Sequence, residues 1–505
     1  MSRASRRREA RDTRRQGGAQ EVSDRRSWET APGQRDASIN TARLMVLVPL
    51  AVVSLSCWAL AHVPTQVAPF LGFIGAITGI AAGIISPTTG VALAIAIVPF
   101  RGAADTVTFG FTEFFRGAPL WGAAVRLVWD RVIAARRGES LPVPSRIITA
   151  AAIFGALIAP LQRITATTLG TFPAQGTLAD MFGIAGGQSL FFAAWLVAAH
   201  LPRNAITRLT KVAAVTISVA LVLSFAGWIL SLTKLFEVSP IEFLTFKAKV
   251  VGRLGSLGYP TPTAMGLAIS MPLIAGVAFR YSRVAGAALI GAATLAIILT
   301  ESRGPMIALG VMAIVMIPSI KLLRGPRLLA LFGVMGASGF ALFFNRYGGR
   351  LQELFAGSIP NIESDLQRIT SWRAGIETAL AHPLTGGGWF SLRLWNDGEL
   401  GRANVNLSHN IILQGLSDGG FPLGIAAATI VLGSLFWAVK HWRSVPLPWR
   451  LAAVAVLVCG LWDMPQLRAF GALFAGFSLG LVARGGYETS EEPAVHTSTG
   501  ELPAE

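Results

Sequence analysis

The 505-residue chain is 52% hydrophobic and only 14% charged, with a mean hydropathy of +0.56. Those values exclude a soluble globular protein of this length and fit a polytopic helical membrane protein. A net charge of +16 does not signal nucleic-acid binding, because beyond the N-terminal tail many of the arginines sit in short loops between apolar runs, as the positive-inside bias places them. The only cysteines, Cys57 and Cys459, both fall inside apolar runs, which excludes a disulfide framework or a zinc site.

Residues 1–42 carry ten arginines and six acids, with little apolar material beyond Trp28. Such a segment cannot bury enough surface to fold and reads as a disordered basic cytoplasmic tail. It is too long for the charged start of a cleaved signal peptide, so the first apolar run reads as an uncleaved anchor.

A spanning helix needs about 20 mostly apolar residues. The runs at 44–63, 67–85, 147–162, 184–201, 212–232, 262–279, 284–300, 304–320, 328–345, 410–439, 449–463 and 468–483 meet that description. The stretch 88–133 is ambiguous: 88–100 is apolar but short, and 110–133 mixes aromatics with Arg116, Arg126 and Arg131. It adds either a pair of crossings or an interfacial segment, and in both cases the downstream parity is unchanged. The expected fold is an all-α bundle of about 12 (12–14) transmembrane helices. It divides into an N-terminal bundle (43–345), one large periplasmic loop (346–408), C-terminal transmembrane helices (409–484) and a disordered cytoplasmic tail (485–505).

Loop charges orient this bundle. Arg136, Arg137 and Arg146 form one basic turn, and Arg203, Arg208 and Lys211 another. Arg280 with Arg283, Lys321 with Arg324 and Arg327, and Lys440 with Arg443 make three more. With both termini cytoplasmic, all five fall inside. The same parity sends 163–183, 233–261, 301–303, 346–408 and 464–467 outward. The 346–408 loop, with Trp372, Trp389, Trp395 and several helix-forming stretches, is long enough to be functional and reads as an ordered cap.

Topology thins the six histidines. His200 and His441 belong to the cytoplasmic face, His496 to the tail, and His62 ends the first helix. His382 precedes Pro383 and suits a turn. His409 remains, at the head of an apolar helix. On a helical wheel Ser417, Asn410, Gln414 and Asp418 share an arc of about 100°, with His409 near its edge. A polar stripe there must face protein or water; the plainer reading is an interfacial histidine capped by its neighbours. Gly419-Gly-Phe-Pro422 should kink or break the helix, and the break would open an access cleft.

Three arginine positions share the face of His409. Arg303 stands in Thr300-Glu-Ser-Arg-Gly-Pro305 between two apolar runs and needs an anion, either Glu301 or a substrate phosphate. Arg253 lies in the loop before Tyr259-Pro260, where an interfacial arginine can also simply snorkel. Arg368 and Arg373 bracket Trp372; on a helix Arg368 and Trp372 meet at i,i+4, equally suited to a packed surface pair. No phosphate loop of the G-x-x-x-x-G-K-[ST] type and no D-x-D occur, and Glu363-Ser-Asp365 is a weak metal candidate. A reaction without metal or cofactor is therefore expected, with arginines supplying positive charge to a leaving group.

Four segments together resemble the O-antigen ligase and O-antigen polymerase superfamily of bacterial envelope glycan enzymes. They are Glu301-Ser-Arg-Gly304, Arg368-x-x-x-Trp372, His382-Pro-Leu-Thr-Gly-Gly-Gly-Trp389 and Ser408-His-Asn-Ile-Ile-Leu-Gln-Gly-Leu-Ser-Asp-Gly-Gly420. The likeness covers residues 250–440. Asp418 is a departure, since such proteins often carry glutamate in the corresponding segment.

The resemblance implies an inner-membrane enzyme that takes an undecaprenyl-diphosphate-linked glycan as donor at the periplasmic face. By motif, His409 would be the general base for an acceptor hydroxyl; an imidazole ordinarily titrates near pH 6.5, which suits the task. Arg303 would bind the diphosphate with Arg253, Arg368 and Arg373 assisting, Asn410 would stand beside the base as a further substrate contact, and Trp372 and Trp389 would stack on sugars. The acceptor is a lipid A core sugar for a ligase, the reading favoured here, or another lipid-linked repeat for a polymerase. A protein-O-oligosaccharyltransferase is a further relative. From a different class, a lipid-linked oligosaccharide flippase also needs many helices and buried arginines. It would place charge along a central cavity and show related halves, whereas the polar groups here gather on one face.

Overall fold

In a membrane every backbone N–H and C=O must find a partner within the chain, and apolar runs of this length do so as helices. The computed structural model describes residues 68–99, 112–138, 145–168, 178–233, 260–300, 302–316, 362–387, 408–462, 465 and 469–491. All of them lie in the compact unit Val52–Glu505. The basic tail, the runs 44–63 and 328–345, Arg253, Glu301, Trp389 and most of the 346–408 loop lie outside the described residues.

Thirteen helices and no strand occur among the described residues. In chain order they are α1 Ala68–Ile85, α2 Pro87–Ile97, α3 Thr112–Arg136, α4 Arg146–Thr168, α5 Leu178–His200 and α6 Arg203–Thr233. There follow α7 Pro260–Tyr281, α8 Arg283–Leu299, α9 Arg303–Met316, α10 Ile362–Ala381, α11 Ile411–Lys440, α12 Leu447–Trp462 and α13 Ala469–Glu491. The ambiguous 88–133 stretch resolves into α2 and α3. At the other end α13 continues past Arg484 into the stretch expected to be tail.

Among the described residues, three segments are long and apolar enough to cross a membrane: Arg203–Ala226, Thr263–Tyr281 and Ile411–Lys440. Eight further apolar stretches, in α1, α2, α4, α5, α8, α9, α12 and α13, are shorter. Apolar side chains continue round the outside of the bundle, as at Phe73 and Ile77 of α1 and Leu432 and Phe436 of α11. That surface is what a lipid solvent selects.

Inside, helices approach through small residues rather than through large interdigitating ones. A Cβ on Gly83 of α1 or Gly122 of α3 would collide with the backbone of the facing helix, as would one on Gly476 of α13 against Phe191 of α5. These crossings set the strongest pairings, α1 with α3 and α5 with α13.

The contacts sort the helix ends into two groups. At one end Arg131 of α3 and Arg484 of α13 lie near His200 of α5. There too the Lys211 ammonium of α6 sits 5.7 Å from the Tyr281 ring centroid at the end of α7. The start of α12 joins them, with Pro448 against Gly276 of α7, and Ile148 at the start of α4 meets Gly433 late in α11. The basic turns that fall among the described residues thus gather at one end, with Lys440 over Trp437 and Arg450 over Trp442 adding cation–aromatic contacts; the turn of Lys321, Arg324 and Arg327 lies outside the described residues.

At the opposite end, the starts of α7 and α13 meet through Gly266 and Phe470. Ser302, just before α9, donates to Thr261 at the start of α7 at 3.3 Å. Ile411, the first residue of α11, abuts Gly460 near the end of α12. Arg303 and His409 therefore share an end of the bundle, the one opposite the basic turns.

Candidate functional site

The head of α11 is built by its own side chains. Asn410 is the N-cap, with φ −153° and ψ 136°, and its Oδ1 accepts the Ile412 and Leu413 N–H groups at 2.9 and 3.1 Å. Those amides would otherwise be among the unsatisfied donors of the first turn. Expected as a substrate contact, Asn410 has its carbonyl oxygen committed to the backbone. Asn410→Ala should therefore lower stability by about 1 kcal/mol, read as a reduced melting temperature in detergent.

His409 sits just before this cap with φ 47°, the only non-glycine residue at positive φ among the described residues. Histidine is one of the residue types that enter the left-handed region more readily. The ring is half-buried and its Nδ1 is fully buried.

Behind His409 lies a buried polar network. The Ser408 N–H donates to Gln414 Oε1 at 2.8 Å, and the Ser408 hydroxyl donates to the Ser417 hydroxyl at 3.3 Å. Because the backbone N–H fixes which way the Gln414 amide points, its NH2 must face the Asp418 carboxylate, and it reaches both oxygens at 2.8 Å. Ser417 adds a long bond to Asp418 Oδ1 at 3.4 Å. A further donor arrives from another helix, where Gln188 of α5 gives its amide N–H to Asp418 Oδ2. Asp418 is 2% exposed and Gln414 1%. A buried carboxylate is tolerable only with such donors around it. The polar stripe read on the wheel is thus real, and it faces protein. Gln188 was not anticipated, although an amide in the middle of the apolar run 184–201 was a readable signal.

The helix breaks where Gly419-Gly-Phe-Pro422 predicted it would. Gly419 has φ −129° and ψ 17°, and Gly420 has φ 65° and ψ −162°. The second is a conformation essentially reserved for glycine. The expected cleft is not open, however. The turn Pro383–Gly387 occupies the break: the Gly387 N–H donates to the Ser417 carbonyl and the Phe421 N–H to the Pro383 carbonyl, each at 2.8 Å. Gly386, at φ 60°, lies so close that a Cβ would stand 2.5 Å from the Gly420 nitrogen. The freed carbonyl and N–H need partners, and the turn supplies them, which is why the break closes on protein.

α10 carries the turn. Its buried face, with Ser371, Ala374, Thr378 and Ala379, packs on α11. A Cβ on Gly375 would lie 2.8 Å from the Ser408 hydroxyl. Arg368 and Trp372 are on the same side of the helix as Gly375, by the 100° step per residue. That side of α10 therefore faces the Ser408–His409 segment. The Trp372 Nε1 is buried and has no hydrogen-bond partner among the described residues.

Arg373 is elsewhere. It stands on the exposed stripe of α10 with Ile369, Ile376 and Leu380, its Nε 2.7 Å from Glu377 Oε1. That carboxylate, by hydrogen bond and charge, holds the guanidinium above its ordinary pKa. Of the expected anion-binding arginines, Arg368 is thus oriented to the His409 side and Arg373 away from it. Arg303 is exposed as the first residue of α9, a helix start that favours anions.

Compared with known proteins, residues 286–428 match the family described as O-antigen ligase. The matched segment contains α8, α9, α10 and the head of α11, hence Arg303, Trp372, the Pro383–Gly387 turn and His409. Gln188 lies outside it. No curated protein matches the chain.

Proposed function

We infer, from the chain's membership of the O-antigen ligase superfamily, how this glycan-transferring membrane protein works, and propose that His409 is its general base. The donor is an undecaprenyl-diphosphate-linked glycan, the reaction takes place at the periplasmic face of the inner membrane, and the acceptor is a sugar hydroxyl of the lipid A core. The observation that carries the reading is the presentation of His409. One imidazole is held at a left-handed residue between two capped or hydrogen-bonded neighbours, at the bundle end shared with Arg303 and opposite the basic turns. With the basic turns inside, as the positive-inside bias requires, that end is periplasmic. About twelve spans with cytoplasmic termini complete this topology.

With Nδ1 buried, the Nε2 edge is the one that meets the acceptor. It takes the hydroxyl proton as the oxygen attacks the anomeric carbon and the bond to the diphosphate breaks. Arg303, with Arg253 and Arg368, neutralises the leaving diphosphate. Trp372, on the side of α10 that faces Ser408–His409, contacts the glycan through its ring, whose apolar faces suit stacking. No metal or cofactor takes part in this scheme.

The lipid portion approaches along an apolar surface. Leu384 is 78% exposed and adjoins Phe421 through the Pro383–Phe421 hydrogen bond. From there exposed Ile425 and Leu432 continue down α11, and Leu380 and Ile376 continue along α10.

The test uses purified full-length protein, a lipid-diphosphate-linked glycan and two acceptors, a lipid A core and a second lipid-linked repeat. A glycosidic bond to the core supports the ligase reading, and extension of the repeat alone would move the assignment to a polymerase. Movement of donor across liposomes with no bond formed would sink the enzyme reading.

A further inference from the structure

The Gln188–Asp418–Gln414 chain is buried and ends on the residue before His409. We propose that Gln188 is a positioning residue that sets the conformation of His409 from a helix outside the family-matched segment; its consequence for catalysis rests on the general-base reading above.

Each step of the chain is a directed hydrogen bond. Gln188 donates to Asp418, fixing one carboxylate oxygen. Asp418 accepts both contacts from the Gln414 NH2 group, which turns Oε1 of that amide toward Ser408. Oε1 then accepts the Ser408 N–H at 2.8 Å. On the other flank Asn410 holds the first turn of α11. His409 is the single residue between these two clamps, and it is the one in the left-handed conformation. A residue held at positive φ persists only where its surroundings over-determine it.

The backbone break adds a reason for an anchor from α5. The part of α11 carrying Gln414 and Asp418 is separated from the rest of the helix by Gly419 and Gly420, so its orientation is not inherited from the long segment beyond. Gln188 ties this short segment to α5. A second α5-to-α11 bond, from Trp195 Nε1 to the Ser434 hydroxyl at 2.9 Å, lies on the far side of the break. It supplies a natural control, being a buried hydrogen bond between the same two helices that has no route to His409.

The experiment compares Gln188→Met with Trp195→Phe in the full-length protein, measuring transfer kinetics and the rate at which diethyl pyrocarbonate modifies His409, followed by mass spectrometry. Gln188→Met should lower kcat by about tenfold to a hundredfold, the scale of a small misplacement of a reacting group, with donor KM nearly unchanged. It should also alter the His409 modification rate, and Trp195→Phe should change neither. Gln414→Met cuts the same chain one step nearer the histidine and must reproduce the pattern. It also keeps the question decidable if Gln188→Met does not fold. Wild-type kcat and modification rate in Gln188→Met would overturn the proposal, and so would an equal loss of kcat in Trp195→Phe. If the wild-type protein formed no glycosidic bond, the functional reading would fall by itself. The modification rates would then decide the coupling alone, an unchanged rate in Gln188→Met overturning it.

Discussion

His409→Asn is expected to lower the rate of glycan transfer by about 10²–10⁴-fold, the usual contribution of a positioned general base. Asparagine is the better substitution here because His409 has φ 47°, and asparagine enters that region more readily than alanine. The variant therefore removes the base while sparing the backbone, and its melting temperature should stay close to that of the wild type. Because the proposed base acts only as the acceptor oxygen attacks, the loss should fall on kcat and leave donor affinity in place. A His409→Asn protein that transfers glycan at the wild-type rate would remove His409 from the chemistry. One that loses donor binding instead would make it a binding residue.

A large stability effect should come from Gly420→Ala. Its backbone, at φ 65° and ψ −162°, belongs to glycine, and a side chain there carries a strain of roughly 1–3 kcal/mol. A Cβ would also collide with the Pro383 carbonyl oxygen, the acceptor of the Phe421 N–H. Relieving that collision means moving the turn out of the break, which adds about 1–3 kcal/mol more. A combined loss of about 2–6 kcal/mol is expected, read as a large fall in melting temperature and in the yield of monodisperse protein. An unchanged melting temperature would show that the turn is not seated in the break in solution. Gly386→Ala attacks the same contact from the other side, with its Cβ 2.6 Å from the Asp418 carbonyl carbon.

Much of the site was legible in one dimension. The helix head at 410, the polar stripe of Gln414, Ser417 and Asp418, and the break at Gly419-Gly420 all follow from local chemistry: capping, 3.6-residue periodicity and glycine's access to positive φ. Local sequence is silent where a residue's surroundings depend on which side of its helix is covered. Arg368 and Arg373 are nearly equivalent in sequence, yet packing of α10 on α11 turns one toward His409 and leaves the other on the exposed stripe with Glu377. The access cleft expected at the break is filled by the Pro383–Gly387 turn, a contact between segments distant in sequence.

The sequence by itself determined that this chain is helical and apolar, which of the described basic turns lie together, and where the head and the break of α11 fall. These are properties of composition, period and local backbone preference. Only the tertiary structure decided that the His382-Pro-Leu-Thr-Gly-Gly motif and the Ser-Asp-Gly-Gly motif are one object, interlocked through two glycines. It also decided that the Asp418 carboxylate is held in part by Gln188 of α5. The physical reason is that a break in a membrane helix leaves polar backbone groups, and a buried carboxylate leaves lone pairs, that must be satisfied by whatever the fold brings near. The need is written locally, but the partner is not.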